Sequence, residues 1–396
     1  MRVLIYRYGS ICEPDIMEAL EELGFGVDTI ENEIYDKNIT GKEQVALLNI
    51  KLQQGEYQFV FTINFFPAIS ELCNLYHIPY LCIIVDSPVM ELYSDSITNE
   101  WNRIFLFDRA LYDEFAPYNQ KGIFHLPLAT NIKRWDSVIA KASKEQLRKY
   151  TSDISFIGSL YSEKCPYNEL KFPTPYVKGY IEGLLNAQKK VYGYFFLEEV
   201  LQNDLVEEIV SNTSTFYEFP ERARKNNKAA LAQFYLGPKI TELERIELLT
   251  ALGRHFKVDL YSGSNALNLP VHMHGRVKTH TEMPLIFHES QINLNMTAKS
   301  IRSGIPQRVW DVLGCNGFLI SNYQVELPEF LVPNEDFVFY SSEEELTSLV
   351  DYYLANPALC REIADNAYRK VKEYHTWAVR LTQMIELAFF DGEEGI

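Results

Sequence analysis

The chain has 396 residues, more than one ordinary domain holds, so two domains are expected. Its hydrophobic content of 47% and aromatic content of 13% are ample for substantial cores. The formal net charge of −17 argues against nucleic acid and against an anionic membrane as partners, because both would require a basic face.

The cysteines and the N-terminus indicate the compartment. The six cysteines are scattered and form no C-x-x-C pair, which favours a reduced, cytoplasmic protein. The N-terminal run MRVLIYRYGSICEPD turns acidic too early for a secretory signal, and no apolar run approaches the length that crosses a membrane. We therefore expect a soluble, cytoplasmic protein without a transmembrane segment.

Strand and helix signals alternate through the first third of the chain, residues 1–130. The predicted strands are Val3–Tyr6, Val27–Ile30, Phe59–Ile63, Tyr80–Val85, Ile104–Phe107 and Ile123–Leu126. Apolar strands that alternate with helices indicate a parallel sheet covered on both faces, and such sheets bind ligands beyond the carboxyl ends of their strands. The pattern predicts an α/β fold whose first, Rossmann-like domain spans residues 1–135.

Two acidic residues stand where predicted strands end. Asp86, in the run IIVDSP, could be a general base that faces a binding cleft, or it could cap the loop that Pro88 forces. Asp108 occupies the same kind of position after the next strand. The pattern leaves both roles of Asp86 open.

A second α/β pattern begins after a polar, lysine-rich segment that we assign as a linker, residues 136–152. The strand Asp153–Gly158 opens a second Rossmann-like domain, residues 153–375. This strand ends in a Gly158–Ser159 turn, where a glycine lets the backbone approach a ligand closely.

Two further segments complete the predicted architecture. Residues 160–240 form a mostly helical, aromatic-rich insertion, in which no internal repeat is evident. Residues 376–396 are predicted to close the chain as a helix.

The most informative stretch is Ile292–Ser321, with the sequence INLNMTAKSIRSGIPQRVWDVLGCNGFLIS. A predicted strand ends at Asn295, a polar loop follows, and a helix opens at Ile305–Pro306, because proline suits a first helical turn. Gly314 and Gly317 end this helix before the next strand begins.

The arrangement around this helix predicts a phosphate site. A helix N-terminus offers free N–H groups and partial positive charge, to which Arg302 and Arg308 add full charges. Asp311 lies about 7–8 Å further along the axis, at ~1.5 Å per residue, where its carboxylate could bind the hydroxyls of a ribose. Alternatively, Arg308 and Asp311 form a surface ion pair on an ordinary helix.

This stretch resembles the spore-maturation (CgeB-type) branch of the GT-B glycosyltransferases, whose core reads roughly G-I-P-x-R-V-[FW]-[DE]-x-L-G-x-x-G-F. The matching residues are Gly304, Ile305, Pro306, Arg308, Val309, Trp310, Asp311, Leu313, Gly314, Gly317 and Phe318. The resemblance implies two Rossmann-like domains that face each other across a cleft, with a C-terminal helix that crosses back to the first domain.

The resemblance also implies a donor site in the second domain. The residues predicted to bind the donor nucleotide are Gly158, Ser159, Tyr261, Asn295, Arg302, Ser303, Gly304, Ile305, Pro306, Arg308 and Asp311. Tyr261 could stack on a nucleobase or be a structural aromatic residue. Many retaining enzymes of this fold carry two glutamates eight positions apart, whereas this chain has Ser303 and Asp311, which favours an inverting enzyme. Glu326 follows in the loop where such enzymes often present a carboxylate to the donor.

The resulting hypothesis is a metal-independent glycosyltransferase that uses a nucleoside-diphosphate sugar, such as a UDP- or dTDP-activated hexose or deoxyhexose. Asp86 is its predicted catalytic base, and a glycan or a protein is its predicted acceptor. The pair His272 and His274 has no recognisable third ligand, so no metal site is predicted, and no cofactor is expected besides the donor substrate.

Two other functions remain open on the sequence. A GT-B-fold epimerase or hydrolase would convert the nucleotide sugar without an acceptor. A non-catalytic assembly factor would bind the nucleotide sugar without turnover. An oxidoreductase is disfavoured, because no G-x-G-x-x-G motif follows the first strand.

Overall fold

The structure, a computed structural model, describes residues 1–163, 165–264 and 268–390. The chain divides into two compact units. The first unit comprises residues 1–130 and 219–225 and the described residues from 375 onward, and the second comprises the described residues of 131–218 and 226–374. Residues 391–396 of the predicted closing helix lie outside the described residues. Among the described helices, none is both long and apolar enough to cross a membrane.

The first unit contains a six-stranded sheet in the order β2-β1-β3-β4-β5-β6, and all its neighbouring strands are parallel. The strands are β1 (Arg2–Tyr6), β2 (Gly26–Ile30), β3 (Val60–Ile63), β4 (Tyr80–Ile83), β5 (Asn102–Leu106) and β6 (Ile123–His125). The α-helices of this unit are Glu13–Glu22, Asn32–Tyr35, Gly41–Gln54, Pro67–Tyr76, Arg109–Phe115 and Trp377–Phe389, and its short 3-10 helices are Met90–Tyr93, Asp95–Thr98 and Ala116–Tyr118.

Burial explains why the central strands are largely apolar. Every residue of β3 and of β4 is buried, as a central strand of a parallel sheet with helices on both faces requires. The six strands fall where the apolar runs predict them, within about two residues at each end, which is the usual scatter of element boundaries. The predicted parallel α/β sheet is therefore confirmed.

The closing helix Trp377–Phe389 packs against helix Glu13–Glu22 of the same unit. It is attached through backbone hydrogen bonds near its start, where the Trp377 N–H donates to the Thr130 carbonyl at 3.2 Å. Segment 219–225 also joins this unit, since the Asp95 N–H donates to the Arg222 carbonyl at 3.0 Å. Nothing in the sequence pattern indicates that the insertion contributes to the first unit.

The second unit contains another parallel six-stranded sheet, in the order β12-β11-β10-β7-β8-β9. The strands are β7 (Ser152–Ile157), β8 (Val258–Tyr261), β9 (His272–Met273), β10 (Ser290–Asn295), β11 (Leu319–Asn322) and β12 (Val338–Tyr340). The helices are Ile132–Lys141, Lys144–Tyr150, Pro166–Glu169 (3-10), Pro175–Lys189, Leu197–Val200, Asn203–Asn212, Asn227–Ala229, Ala230–Leu236 (π), Gly237–Gly253, Met283–Glu289, Gln307–Gly314, Leu327–Phe330, Glu343–Ala355 and Pro357–Tyr374.

The central motif forms the predicted strand–loop–helix–strand unit, with one shift. Helix Gln307–Gly314 begins two residues later than predicted, because Pro306 has an extended ψ of 153° and serves as its N-cap. The helix ends at Gly314, and the Gly317 N–H donates to the Val312 carbonyl at 3.0 Å. A Cβ at position 317 would lie 2.6 Å from the Phe287 carbonyl oxygen, so only glycine fits this turn.

We expect Gly317→Ala to destabilise the protein by on the order of 1–3 kcal/mol, because the added methyl group must displace backbone. Equilibrium urea unfolding followed by circular dichroism measures this change. The matched control is Gly183→Ala in helix Pro175–Lys189, where nothing lies within 4 Å of the new Cβ. Alanine there should stabilise the helix by roughly 0.5–1 kcal/mol. Equal stability of the two variants would contradict this account of the turn.

Candidate functional site

Loops that follow β7 and β8 enclose a pocket of about 450 Å³ in the second unit. It is lined by Ile157, Gly158, Ser159, Tyr161, Glu163, Tyr261, Ser262, Gly263, Arg276, Val277, Thr279, Met283 and Arg308. β7 ends at Ile157 and the neighbouring β8 ends at Tyr261, so the pocket lies beyond the carboxyl ends of a parallel sheet. Ligands of open α/β sheets bind in this place. Four of the predicted donor-binding residues meet here: Gly158, Ser159, Tyr261 and Arg308.

A buried guanidinium holds the Gly158–Ser159 turn in position. Arg245, on helix Gly237–Gly253, donates from Nη1 to the Ser159 carbonyl at 2.6 Å and from Nε to the Met296 carbonyl at 3.2 Å. Its guanidinium also lies over the ring of Tyr161, 5.2 Å from the centroid. Burial lowers the pKa of Arg245, yet an arginine stays charged at neutral pH. The turn is therefore hydrogen-bonded to a side chain that carries a positive charge.

Arg308 brings a second guanidinium to the pocket. It lies in the first turn of helix Gln307–Gly314, where Nη1 contacts the Met283 sulfur at 2.7 Å and the guanidinium carbon lies 5.2 Å from the centre of the Phe287 ring. Burial lowers the pKa of Arg308, and the nearby Asp311 carboxylate opposes that effect. Its apolar contacts fix the side chain in place and leave it charged.

Arg276 is a third cation of the site, and it was not predicted from the sequence. Its side chain lies across Gly263, so that a Cβ at this position would collide with it. The glycine thus makes room for the arginine along the pocket wall. Two guanidiniums on one pocket, from Arg276 and Arg308, suit the oxygens of a diphosphate.

Arg302 contacts a different part of the second unit from Arg308. Arg302 forms an ion pair with Glu198 of the insertion, at 3.8 Å, and it is not among the described residues that line the pocket. Of the two arginines, only Arg308 is among the described residues that line the pocket. The role of Arg302 in donor binding stays a prediction.

The loop before helix Gln307–Gly314 is held by the turn that follows β11. The Ser303 hydroxyl donates to Glu326 Oε1 at 2.7 Å, and the Gln324 side chain donates to the Gly304 carbonyl at 3.0 Å. Ile305 is fully buried, and Pro306 caps the helix. Ser303 stands where the sequence comparison above expects the first glutamate of many retaining enzymes, and the carboxylate of Glu326 lies directly beside it.

Asp311 is buried, with 4% of its surface exposed, and accepts a hydrogen bond from Gln307 Nε2 at 2.9 Å. An exposed Arg308–Asp311 pair, the alternative interpretation of this motif, is therefore wrong. Asp311 is also not among the described residues that line the pocket, so its contact with a ribose stays a prediction.

Asn295 joins two strand ends. Its Nδ2 donates to the Thr297 hydroxyl at 3.0 Å and to the Ser321 hydroxyl at 2.9 Å. Both amide hydrogens are used inside the protein, so the geometry explains Asn295 as a link between the ends of β10 and β11. Its predicted contact with the donor is not required to account for the residue.

The histidine pair meets a carboxylate that the sequence pattern does not reveal. Asp259 of β8 has its Oδ1 2.6 Å from His274 Nε2 and 3.9 Å from His272 Nδ1. Within the described ranges, no group of three or more histidine, cysteine or acidic side chains is arranged to hold a metal ion.

Asp86, in the first unit, lies where the ends of three neighbouring strands meet. Asn64 Nδ2 donates to Asp86 Oδ2 at 2.7 Å and to the Tyr8 hydroxyl at 2.9 Å, while Asn64 Oδ1 accepts from the Val85 N–H at 3.0 Å. Asp86 itself is exposed. Asp108 has a different environment, because it is buried and caps helix Arg109–Phe115.

Comparisons with known proteins agree with this architecture. Residues 244–386 match the family described as glycosyl transferase-like. No curated protein sequence matches the chain. A glycosyltransferase from Rickettsia africae superposes with a TM-score of 0.55 at 12% identity, over 100% of this chain and 99% of that one. A sucrose-phosphate synthase from Thermosynechococcus elongatus superposes with a TM-score of 0.56 at 11% identity, over 99% of this chain and 100% of that one.

A third solved structure, HepE from Anabaena in complex with UDP, gives a TM-score of 0.51 at 11% identity, over 97% of this chain and 98% of that one. Identities this low establish the fold alone. The chain therefore has the GT-B glycosyltransferase fold, with a glycosyl transferase-like region at residues 244–386.

Proposed function

We propose that the protein is a glycosyltransferase whose donor is a nucleoside-diphosphate sugar. The observation that carries this proposal is the pocket beyond β7 and β8, which Arg276 and Arg308 line together with the Gly158–Ser159 turn. Both arginines belong to the region that matches the glycosyl transferase-like family. HepE, which shares the fold, has been solved in complex with UDP, and this supports a uridine nucleotide as the first donor to test.

The chain itself supplies the charge that such a reaction needs. As the glycosidic bond breaks, negative charge grows on the leaving diphosphate, and preorganised cations stabilise it most where water is excluded. In our proposal Arg276 and Arg308 bind this diphosphate, with Arg245 as a fixed charge beneath the turn. We therefore propose that transfer does not depend on a divalent metal ion.

Asp86 is the proposed base for the acceptor. An acceptor hydroxyl oxygen would form the new bond to the anomeric carbon, the bond to the diphosphate oxygen would break, and the hydroxyl proton would pass to the Asp86 carboxylate. Ser303, in place of a glutamate, supports an inverting course. The hydrogen bond from Asn64 fixes the orientation of the Asp86 carboxylate.

The finer assignments rest on the sequence. The motif from Gly304 to Phe318 supports membership of the CgeB-type branch and a hexose or deoxyhexose, activated by UDP or dTDP, as the donor sugar. We propose a glycan or a protein as the acceptor. All six cysteines are buried and scattered along the chain, which supports a reducing compartment such as the cytoplasm.

Replacement of Arg308 by alanine tests the donor pocket. Loss of a charge-assisted hydrogen bond costs about 1.5–3 kcal/mol, so we expect the affinity for UDP to fall by roughly 10–100-fold. Isothermal titration calorimetry with UDP, dTDP and GDP measures this change and identifies the base. Arg254→Ala, an exposed arginine on the same unit, is the control and should bind like the wild type. Equal affinity of the two variants would remove the support for the donor pocket.

Asp86→Asn tests the catalytic base separately. We expect the turnover of UDP-glucose to fall by about 10²-fold or more, while the affinity for UDP stays unchanged because Asp86 is not among the described residues that line the donor pocket. UDP release is followed with water and with a panel of glycans as acceptors. Asp113→Asn, an exposed residue of the same unit, is the control and should keep full activity. Full activity of Asp86→Asn would exclude this residue as the base, and sugar conversion that no acceptor stimulates would favour an epimerase or hydrolase.

A further inference from the structure

Tyr261 brings a phenol side chain to the residues that line the pocket. Only 5% of the Tyr261 surface is exposed, yet the residue lines the pocket, and its hydroxyl hydrogen-bonds to no described residue. Burial, together with the charge of Asp259, raises the pKa of this phenol to about 12. The hydroxyl therefore keeps its proton at neutral pH and can donate a hydrogen bond.

The ring of Tyr261 stacks on the imidazole ring of His274. The two rings stack with their centroids 4.6 Å apart and their planes 19° from parallel. The backbone N–H of His274 donates to the Leu260 carbonyl at 2.9 Å, which fixes the histidine beside β8. A stacked ring anchored to the same strand leaves the tyrosine little freedom to tilt.

The imidazole is oriented in turn by Asp259. Its carboxylate contacts His274 Nε2 at 2.6 Å and accepts a hydrogen bond from the Ser152 hydroxyl at 2.6 Å. Burial acts to raise the pKa of Asp259, but the hydrogen bonds from Ser152 and His274 outweigh it, so the net shift is downward and the group stays ionised. A chain of contacts thus runs from Asp259 through His274 to Tyr261.

We propose that Asp259 and His274 are positioning residues that hold Tyr261 so that its hydroxyl donates a hydrogen bond to the nucleoside part of the bound nucleotide. This inference rests on the proposed function and extends it. Arg276 and Arg308 attract any diphosphate, whereas Tyr261, Val277 and Thr279 are uncharged members of the same lining. A base and a ribose are uncharged groups, which such side chains suit.

The test compares UDP with inorganic pyrophosphate by isothermal titration calorimetry. A neutral hydrogen bond contributes about 0.5–1.5 kcal/mol, so Tyr261→Phe should weaken UDP binding by roughly 3–10-fold and leave pyrophosphate binding unchanged. His274→Ala should have an effect of similar size. His274→Gln, which keeps a polar group for Asp259 but lacks the stacked ring, should also weaken UDP binding.

The control is His272→Ala, which removes the exposed histidine two residues earlier and should bind UDP like the wild type. The double variant Tyr261→Phe/His274→Ala should bind UDP no more weakly than Tyr261→Phe alone, because residues that act through one contact are not additive. A structural effect of either substitution would instead weaken UDP and pyrophosphate together.

Each result is decisive. If His274→Ala matches His272→Ala, or if UDP and pyrophosphate lose affinity equally, the positioning role is wrong while the donor site stands. If the wild-type protein binds pyrophosphate but no nucleoside diphosphate, the proposed function fails and this inference fails with it. A loss confined to UDP and shared non-additively by Tyr261 and His274 supports the proposal.

Discussion

The buried guanidinium of Arg245 is the contact on which the second unit's site depends. Strands end in carbonyl groups that need a donor, and burial without one costs about 1–3 kcal/mol for each group. Arg245 satisfies the Ser159 and Met296 carbonyls, which follow the neighbouring strands β7 and β10. One side chain therefore sets the spacing of two loops and places a positive charge beneath them. Ser159, whose carbonyl it binds, lines the pocket.

Much of the fold can be predicted from sequence because burial leaves a simple pattern. Central strands of parallel sheets are covered on both faces, so β3 and β4 are nearly continuous apolar runs that any hydrophobicity argument finds. The helix after β10 is equally plain, since Pro306 precedes its first residue and Gly314 is its last. Local chemistry determines these features, and local sequence therefore shows them.

The site is harder to predict because its members meet through long-range contacts. Arg276 reaches the pocket wall across Gly263, and no local sequence motif indicates that these two residues are in contact. Asp259 contacts His274 only because β8 and β9 are paired, so the sequence shows the two histidines without their carboxylate partner. Arg302 and Arg308 are close in sequence, yet the turn between them directs them to different partners. Spacing along a chain does not give direction in space.

The first unit is completed by residues that the chain contributes late. Its six strands are formed by residues 2–125, but helix Trp377–Phe389 packs on helix Glu13–Glu22, and segment 219–225 joins it from within the insertion. During synthesis on the ribosome, helix Glu13–Glu22 is therefore made long before helix Trp377–Phe389, which covers one of its faces. A truncated protein that stops at residue 374 would leave this face of helix Glu13–Glu22 exposed. Because the first unit is formed by three separate segments of the chain, no single truncation point yields either unit intact.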